Sequence, residues 1–251
     1  MNRAVAVVAG LDTSGGAGLA ADLRTAAALS VPCAAVLAAV AVQDAAGVHA
    51  VFPMPEGAFA AQLGCVPWKK IGACKLGMIH LPELLDLFLA ALPEGMPLVV
   101  DPVLGSTAGG SLAAPGLEEA LIKRAFPRAT LVTLNRDEGR RLSGEDFSDL
   151  AAARGLAPRL AERLGTAVLL KGGHLGGAPV DVLAVGDRLY EFSGRRAKVP
   201  PRGTGCTLST AVAAYLAAGD ELPASVGLAR ELVNRAVAAA YSGPAGPVLA
   251  P

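Results

Sequence analysis

The 251-residue chain is short of aromatics, of charge and of cysteine. Phe, Trp and Tyr make up 4% of it and charged residues 18%, which excludes a highly charged disordered chain and a charge-laced coiled coil. Twenty-two basic and 22 acidic residues leave a formal net charge of +0, without the basic excess of a nucleic-acid binder or a polybasic membrane-surface protein. The only cysteines are Cys33, Cys65, Cys74 and Cys206. None forms a Cys-x-x-Cys pair or stands at a metal-ligand spacing from His49, His80 or His174, and a disulfide framework is not expected in so long a chain. Long apolar runs are scarce as well. MNRAVAVVAGLD meets Asp12 too soon for a signal-peptide core, and the uncharged stretch from Thr25 to Gln43 is broken by Ser30-Val31-Pro32. That stretch reads as the end of a helix, a turn and a buried strand. No membrane segment and a cytoplasmic location are the expectations.

Apolar residues, alanine above all, are abundant: 53% of the chain is hydrophobic, ample for a buried core. Thirty glycines without a period exclude collagen and predict many tight loops. Short β-branched runs at Val5–Ala9, Ala34–Val42, Ala73–Leu76, Leu98–Asp101, Thr130–Thr133 and Ala167–Lys171 predict strands. Helical patterns lie between them at Gly18–Leu29, Gly57–Val66, Pro82–Leu92, Leu117–Phe126 and Leu150–Leu164. Such alternation predicts an α/β chain with a mostly parallel sheet covered on both faces, its ligand loops at the carboxyl ends of the strands. Val180–Val185 and Arg188–Phe192 around Gly186-Asp187 read as a hairpin, followed by helices Gly205–Ala218 and Leu222–Tyr241. The closing GPAGPVLAP is too rich in Pro and Gly to predict regular structure. With no linker and no repeat, residues 1–251 are expected to form one domain.

Five segments carry possible chemistry. Gly10-Leu11-Asp12-Thr13-Ser14-Gly15-Gly16-Ala17-Gly18 joins a strand to a helix, where free amides can meet a ligand, although no Lys-Ser/Thr follows to make a Walker A loop. Gly16 to Ala21 fits the loose dinucleotide pattern G-x-G-x-x-A, with Asp44 as a ribose partner, and a tight structural turn fits equally. Lys171-Gly172-Gly173-His174 offers a cation to a phosphate, or is a β-turn with a solvated lysine. Asp101, at a strand end, suits a magnesium shell or a loop cap, whereas Asn135 and Glu138 suit a capping box. Gly203-Thr204-Gly205-Cys206-Thr207 opens a helix, so its amides form an anion hole and the dipole favours a Cys206 thiolate; a small buried cysteine is the plain alternative.

In this order the motifs AGLDTSGGAGLAADL (9–23), Gln43, KLGM (75–78), VVDPV (99–103), TLNRDE (133–138), LLKGGH (169–174) and GTGCTLS (203–209) resemble the bacterial hydroxymethylpyrimidine/phosphomethylpyrimidine kinases of thiamine biosynthesis. The resemblance runs from Val5 to about Tyr241. It implies a ribokinase-like three-layer α/β/α fold, ATP and Mg2+ as cofactors, and a homodimer. By the same resemblance, Gly10, Asp22, Gln43 and Met78 surround the pyrimidine, and Asp101 and Glu138 attend the metal and phosphates. Lys171 and Thr204 lie on the nucleotide side. Cys206, within Gly203-Thr204-Gly205-Cys206, replaces the usual catalytic aspartate. Gln43, both donor and acceptor, suits a pyrimidine's ring nitrogen and exocyclic amine.

Three departures from the family pattern leave open whether both phosphorylations, of the alcohol and then of the monophosphate, are retained. Thr107-Ala108-Gly109-Gly110 replaces a usual Lys-Ser-Gly-Asp, Pro200-Pro201-Arg202 replaces Asn-Thr-His, and Asp44 replaces Asn. Arg202 either restores a charge or is solvated. A pyridoxal or pyridoxine kinase is the near alternative. A dinucleotide-dependent reductase and a catalytically silent ligand sensor are the distant ones.

Overall fold

In the computed structural model, which describes residues 3–44, 46–105, 110–175, 179–197, 201–243 and 246–251, the apolar runs pair into one nine-stranded sheet. Its strands are β1 (Ala4–Asp12), β2 (Cys33–Asp44), β3 (Gly47–Pro53), β4 (Ile71–Leu76), β5 (Leu98–Val100), β6 (Leu131–Leu134), β7 (Ala167–Leu170), β8 (Val180–Val185) and β9 (Arg188–Ser193). They lie in the order β3-β2-β1-β4-β5-β6-β7-β8-β9. The six from β2 to β7 in that spatial order are parallel, while β3 pairs antiparallel with β2, β8 with β7 and β9 with β8. The predicted hairpin closes at Val185 and Arg188.

The helices are α1 (Gly18–Ala28), α2 (Glu56–Cys65), α3 (Pro82–Ala91), α4 (Leu117–Ala120), α5 (Arg136–Ser143), α6 (Leu150–Leu164), α7 (Thr204–Ala218) and α8 (Leu222–Ala238). Successive strand residues feed opposite cores, as the two-residue strand period requires. Ala6, Val100, Val132, Leu170 and Ala184 pack with α2, α3, α4 and α6. Val5, Val99, Leu131, Leu169 and Leu183 pack with α1, α7 and α8. The sheet is therefore covered on both faces, as its unbroken apolar strands predict. Among the described residues, no helix is long and apolar enough to cross a membrane.

Three details differ from the sequence expectation. The pattern at Leu117–Phe126 begins as α4 but widens into a π turn at Leu121–Ala125 and tightens at Phe126–Arg128. Helix α8 ends at Ala238, not Tyr241, because Tyr241–Gly243 (β10) pairs antiparallel with Gly246–Val248 (β11). The Pro- and Gly-rich end is thus partly regular. Its order comes from tertiary contact: Val248 and Leu249 are buried, and the Arg202 amide donates to the Pro247 carbonyl at 2.8 Å.

Two features place a site. The chain leaves β1 for β2 on one side and later enters β4 on the other, so connections diverge beyond the carboxyl ends of β1 and β4; open α/β sheets bind ligands in such crevices. Helix α7 is pressed close onto the sheet beneath this crevice. A Cβ on Gly72 of β4 would lie 2.9 Å from the Ala217 Cα, an approach that only small residues permit.

Candidate active site

The first loop is shaped by close backbone approach. A Cβ on Gly10 would stand 2.6 Å from Met78 Sδ, and one on Gly18, at φ +57°, would meet the Gly10 carbonyl at 2.2 Å. Gly10 and Met78, predicted together, are in contact at the ends of β1 and β4. Asp12 is buried under the loop, accepting from the Ser14 amide and hydroxyl at 2.8 Å each and from the Ala17 amide at 3.0 Å. Arg24 holds the Gly15 carbonyl at 2.7 Å. On the β2 side, the Thr13 hydroxyl donates to the Gln43 carbonyl at 3.0 Å and accepts from the Gln43 amide at 3.1 Å. Gln43 is thereby set beside the loop, its side chain buried.

The second wall is the start of α7. Gly203, at φ +85°, is the N-cap, and a Cβ there would meet the Gly16 carbonyl at 2.4 Å, so the two glycine turns interlock. Thr204 opens the helix, and Gly205 faces the charged groups beyond: a Cβ on it would lie 3.4 Å from both Asp101 Oδ2 and Lys171 Nζ. Cys206 is 8% exposed, near the Gly18 amide. Burial pushes this thiol up to about 11, with Lys75 pulling it back only in part. The thiolate expected from the helix dipole is therefore not the resting form; desolvation outweighs the dipole.

Beyond α7 stand the predicted phosphate-side residues, delivered by β5, β6 and β7 to one place. Lys171 Nζ meets Asp101 Oδ1 at 2.7 Å and lies 3.8 Å from Glu138 Oε2. Thr133 donates to Asp101 Oδ1 at 2.9 Å and Ser209 to Oδ2 at 3.4 Å. Burial raises Asp101, but Lys171 and Lys75 outweigh it and hold the carboxyl below its ordinary value. Glu138 lies above its own ordinary value because burial dominates there, with Lys171 opposing. The capping box with Asn135 is also present, the Glu138 carboxylate taking the Asn135 amide at 2.8 Å. Glu138 thus caps α5 and faces Lys171 at once.

Asp22 does not line the crevice. It is completely buried, bound at Oδ1 and Oδ2 by Lys75 Nζ (2.9 and 2.8 Å) and at Oδ1 by the Thr210 hydroxyl (2.8 Å). A direct pyrimidine contact is replaced by a structural one, since every approach to the carboxylate is taken by protein. Burial raises Asp22 despite Lys75, and Lys75 is held above its ordinary range by the Asp22 charge against its own desolvation. Lys75, Thr210, Ser209 and Thr133 were missed as site residues. The signals existed: a lysine inside the apolar strand Ile71–Leu76, and polar residues three and four positions after Cys206 on one face of α7.

Arg202 is not solvated; its side chain is 14% exposed and pairs with Asp12 at 3.1 Å. Asp44, the ribose candidate of the dinucleotide reading, has an exposed carboxylate paired with His49 at 2.9 Å. Thr107, Ala108, Gly109 and Pro200 lie outside the described residues.

Among the described residues, no group of three or more His, Cys, Asp or Glu side chains could hold a metal. Asp101 and Glu138, flanking Lys171, do suit a magnesium ion that arrives on phosphates and keeps its waters, which takes only one or two carboxylates from the protein.

Comparison with known proteins follows this geometry. The sequence pattern of the family described as phosphomethylpyrimidine kinase matches residues 12–248. A hydroxymethylpyrimidine/phosphomethylpyrimidine kinase of Streptomyces coelicolor is 40% identical over 258 aligned residues, covering 97% of this chain and 93% of that protein. A thiamine biosynthesis bifunctional protein of Geobacter sulfurreducens is 39% identical over 93% of this chain, which spans 49% of that protein's length. The ADP complex of Bacillus subtilis pyridoxal kinase superposes with a TM-score of 0.86 at 28% identity, covering 99% of this chain and 98% of that one. Glycine turns, buried charges and topology agree with these matches: the chain belongs to the phosphomethylpyrimidine kinase family, phosphotransferases of the ribokinase-like α/β/α fold.

Proposed function

We propose that this chain, acting as one catalytic domain, transfers the γ-phosphoryl group of ATP to 4-amino-5-hydroxymethyl-2-methylpyrimidine, to its monophosphate, or to both in turn. The observation that carries the reading is the position of Gly205. It sets the N-terminus of α7 against the Asp101–Lys171 pair, so that helix amides and an ammonium converge on one point. Phosphoryl transfer needs charge stabilisation and positioning more than covalent help, and this convergence supplies both.

The heterocycle lies at the ends of β1, β2 and β4, among Gly10, Gln43 and Met78, with the nucleotide phosphates toward Lys171, Thr204 and Glu138. The hydroxymethyl oxygen attacks phosphorus as its proton passes to Cys206 in the thiolate form that Lys75 favours. Asp101 and Glu138 would hold the magnesium ion, whose charge offsets that of the transferring group. The protein is cytoplasmic and homodimeric in this reading, which size-exclusion chromatography checks.

The deciding experiment measures ATP consumption with the hydroxymethylpyrimidine, its monophosphate and pyridoxal in parallel. The two pyrimidines should be turned over in preference to pyridoxal. Turnover of pyridoxal alone would replace the reading with the related vitamin kinase. Gln43→Leu should weaken heterocycle binding by about 5- to 150-fold while sparing ATP, the range for loss of a buried polar partner.

A further inference from the structure

One acidic residue interrupts the apolar strand β8, VDVLAV, and touches none of the groups placed in phosphoryl transfer. Asp181 is 1% exposed. Its Oδ1 accepts the Gly172 N–H at 2.7 Å, and its Oδ2 lies 3.4 Å from Arg230 Nε. Neither Oδ2 nor that Nε has a hydrogen-bond partner among the described residues, so charge alone joins them. Arg230 leaves α8 across Gly194, where a Cβ would stand 1.8 Å from Nη2, so only glycine leaves that path open. One turn further along α8, the Asn234 side chain accepts from the Arg195 amide at 2.8 Å and donates to the Ser193 carbonyl at 3.1 Å. The end of β9 is thereby fastened to α8 beside the arginine.

The Gly172 amide is the first after Lys171. The Lys171 amide itself donates to the Leu134 carbonyl at 2.8 Å, so the chain leaving β7 is pinned at two successive N–H groups, one by β6 and one by Asp181. A Cβ on Gly172 would stand 1.9 Å from the Val180 carbonyl oxygen, so the turn is pressed onto β8. Gly172 is buried there. Deprived of Asp181, its amide finds an acceptor only if the turn lifts toward water, and the Lys171 backbone lifts with it.

We propose that Asp181, anchored by Arg230, is a positioning residue for the nucleotide: by holding the Gly172 amide it sets where the Lys171 side chain leaves β7. The inference rests on the reading of Lys171 as a phosphate contact. The Gly172 amide requires only an oxygen acceptor, which a carboxamide supplies as well as a carboxylate. The charge of Asp181 serves the pairing with Arg230, and its Oδ1 serves the turn. The two roles are therefore separable by substitution.

The test compares the parent, Lys171→Met and two double variants, Asp181→Asn/Arg230→Met and Asp181→Leu/Arg230→Met. Calorimetry measures binding of ADP with magnesium and, separately, of the hydroxymethylpyrimidine, with thermal melts alongside. Both double variants remove the two buried charges together, a change that is often nearly neutral for folding. Only asparagine keeps an oxygen for the Gly172 amide. ADP should bind the asparagine variant within about threefold of the parent and the leucine variant about tenfold more weakly, with heterocycle affinity unchanged in both. Should the leucine variant fail to fold, Asp181→Ala/Arg230→Met carries the same expectation, because a methyl group offers the amide no acceptor. Equal ADP affinity in the two folded double variants, with Lys171→Met weakening ADP, overturns the inference alone. So does weakening of both ligands by the same factor, which would make Asp181 purely structural. ADP binding unaffected by Lys171→Met overturns the reading of Lys171 and the inference with it.

Discussion

Lys75→Met should be among the most destabilising single substitutions in the site. The ammonium and the Asp22 carboxylate are each 0% exposed, and Lys75 contacts both carboxylate oxygens. Methionine can follow the same path past Gly77, where a Cβ would lie 2.6 Å from Nζ, so little cavity forms. What remains is a buried carboxylate that, among the described residues, keeps only the Thr210 hydroxyl as a hydrogen-bond donor. Breaking one side of a buried ion pair costs about 3–5 kcal/mol, whereas replacing both sides is often nearly neutral. For a chain of this length that corresponds to a fall in Tm of roughly 6–20 °C. Asp22→Asn/Lys75→Met should recover most of the loss, and Thr210→Val alone should cost about 1 kcal/mol. The sign with pH follows from the carboxyl. Without Lys75 the folded-state value of Asp22 rises further above its unfolded value, so the variant's deficit grows as pH rises through that folded value and shrinks at lower pH. Urea unfolding of the parent and three variants between pH 5 and 8 measures all of this. A single variant within about 1 kcal/mol of the parent, or a double variant no more stable than the single, would refute the pairing argument.

Cys206→Ala should slow single-turnover phosphorylation by about 10²–10⁴-fold with both substrates saturating, the usual share of a general base; a parent-like rate removes the cysteine from the chemistry. With the thiol at about 11, the parent's single-turnover rate should climb with pH through the neutral range, and the Cys206→Asp profile should be flatter. Because the folded thiol lies above its unfolded value of 9.0, its contribution to stability is intact below pH 9 and lost as pH rises toward 11; Cys206→Ala should soften the alkaline fall seen in thermal melts. Asp101→Asn should lower kcat and raise the magnesium requirement more than it weakens heterocycle binding. Unchanged values on both counts would return Asp101 to a loop-capping role.

Most of the sheet was legible because strands buried on both faces carry unbroken apolar runs such as Val5–Ala9 and Ala167–Leu170. Strand β3 was not, since its GVHAVFP sequence at the sheet edge is only half buried and mixes polar and apolar residues. Helix α5, RDEGRRLS, has almost no apolar stripe and showed itself only through its cap. The β10–β11 hairpin depends on contacts with Arg202 and on burial of Val248, which no local pattern reports. In the site, Asp101, Glu138 and Lys171 were legible because each ends a strand or opens the helix after one. Asp22 looked available from its motif, yet Lys75 claims it from 53 residues away. Burial likewise reversed the expectation for Cys206: the helix N-terminus is visible in Gly203-Thr204-Gly205, but the depth of the sulfur beneath it is not.

The divergence of connections between β1 and β4 divides inheritance as well as space. In the proposed reading, the residues facing the ring come from the ends of β1, β2 and β4, those facing the phosphates follow β5, β6 and β7, and the first turn of α7 lies between the two groups. Substitutions that alter the choice of acceptor can accumulate on one flank without disturbing the donor apparatus on the other. On that reading, a gene duplicate of such a protein could drift from one vitamin precursor to another through a handful of changes around Gly10, Gln43 and Met78. The Asp101–Lys171–Glu138 array would pass through that history unchanged, under selection of its own.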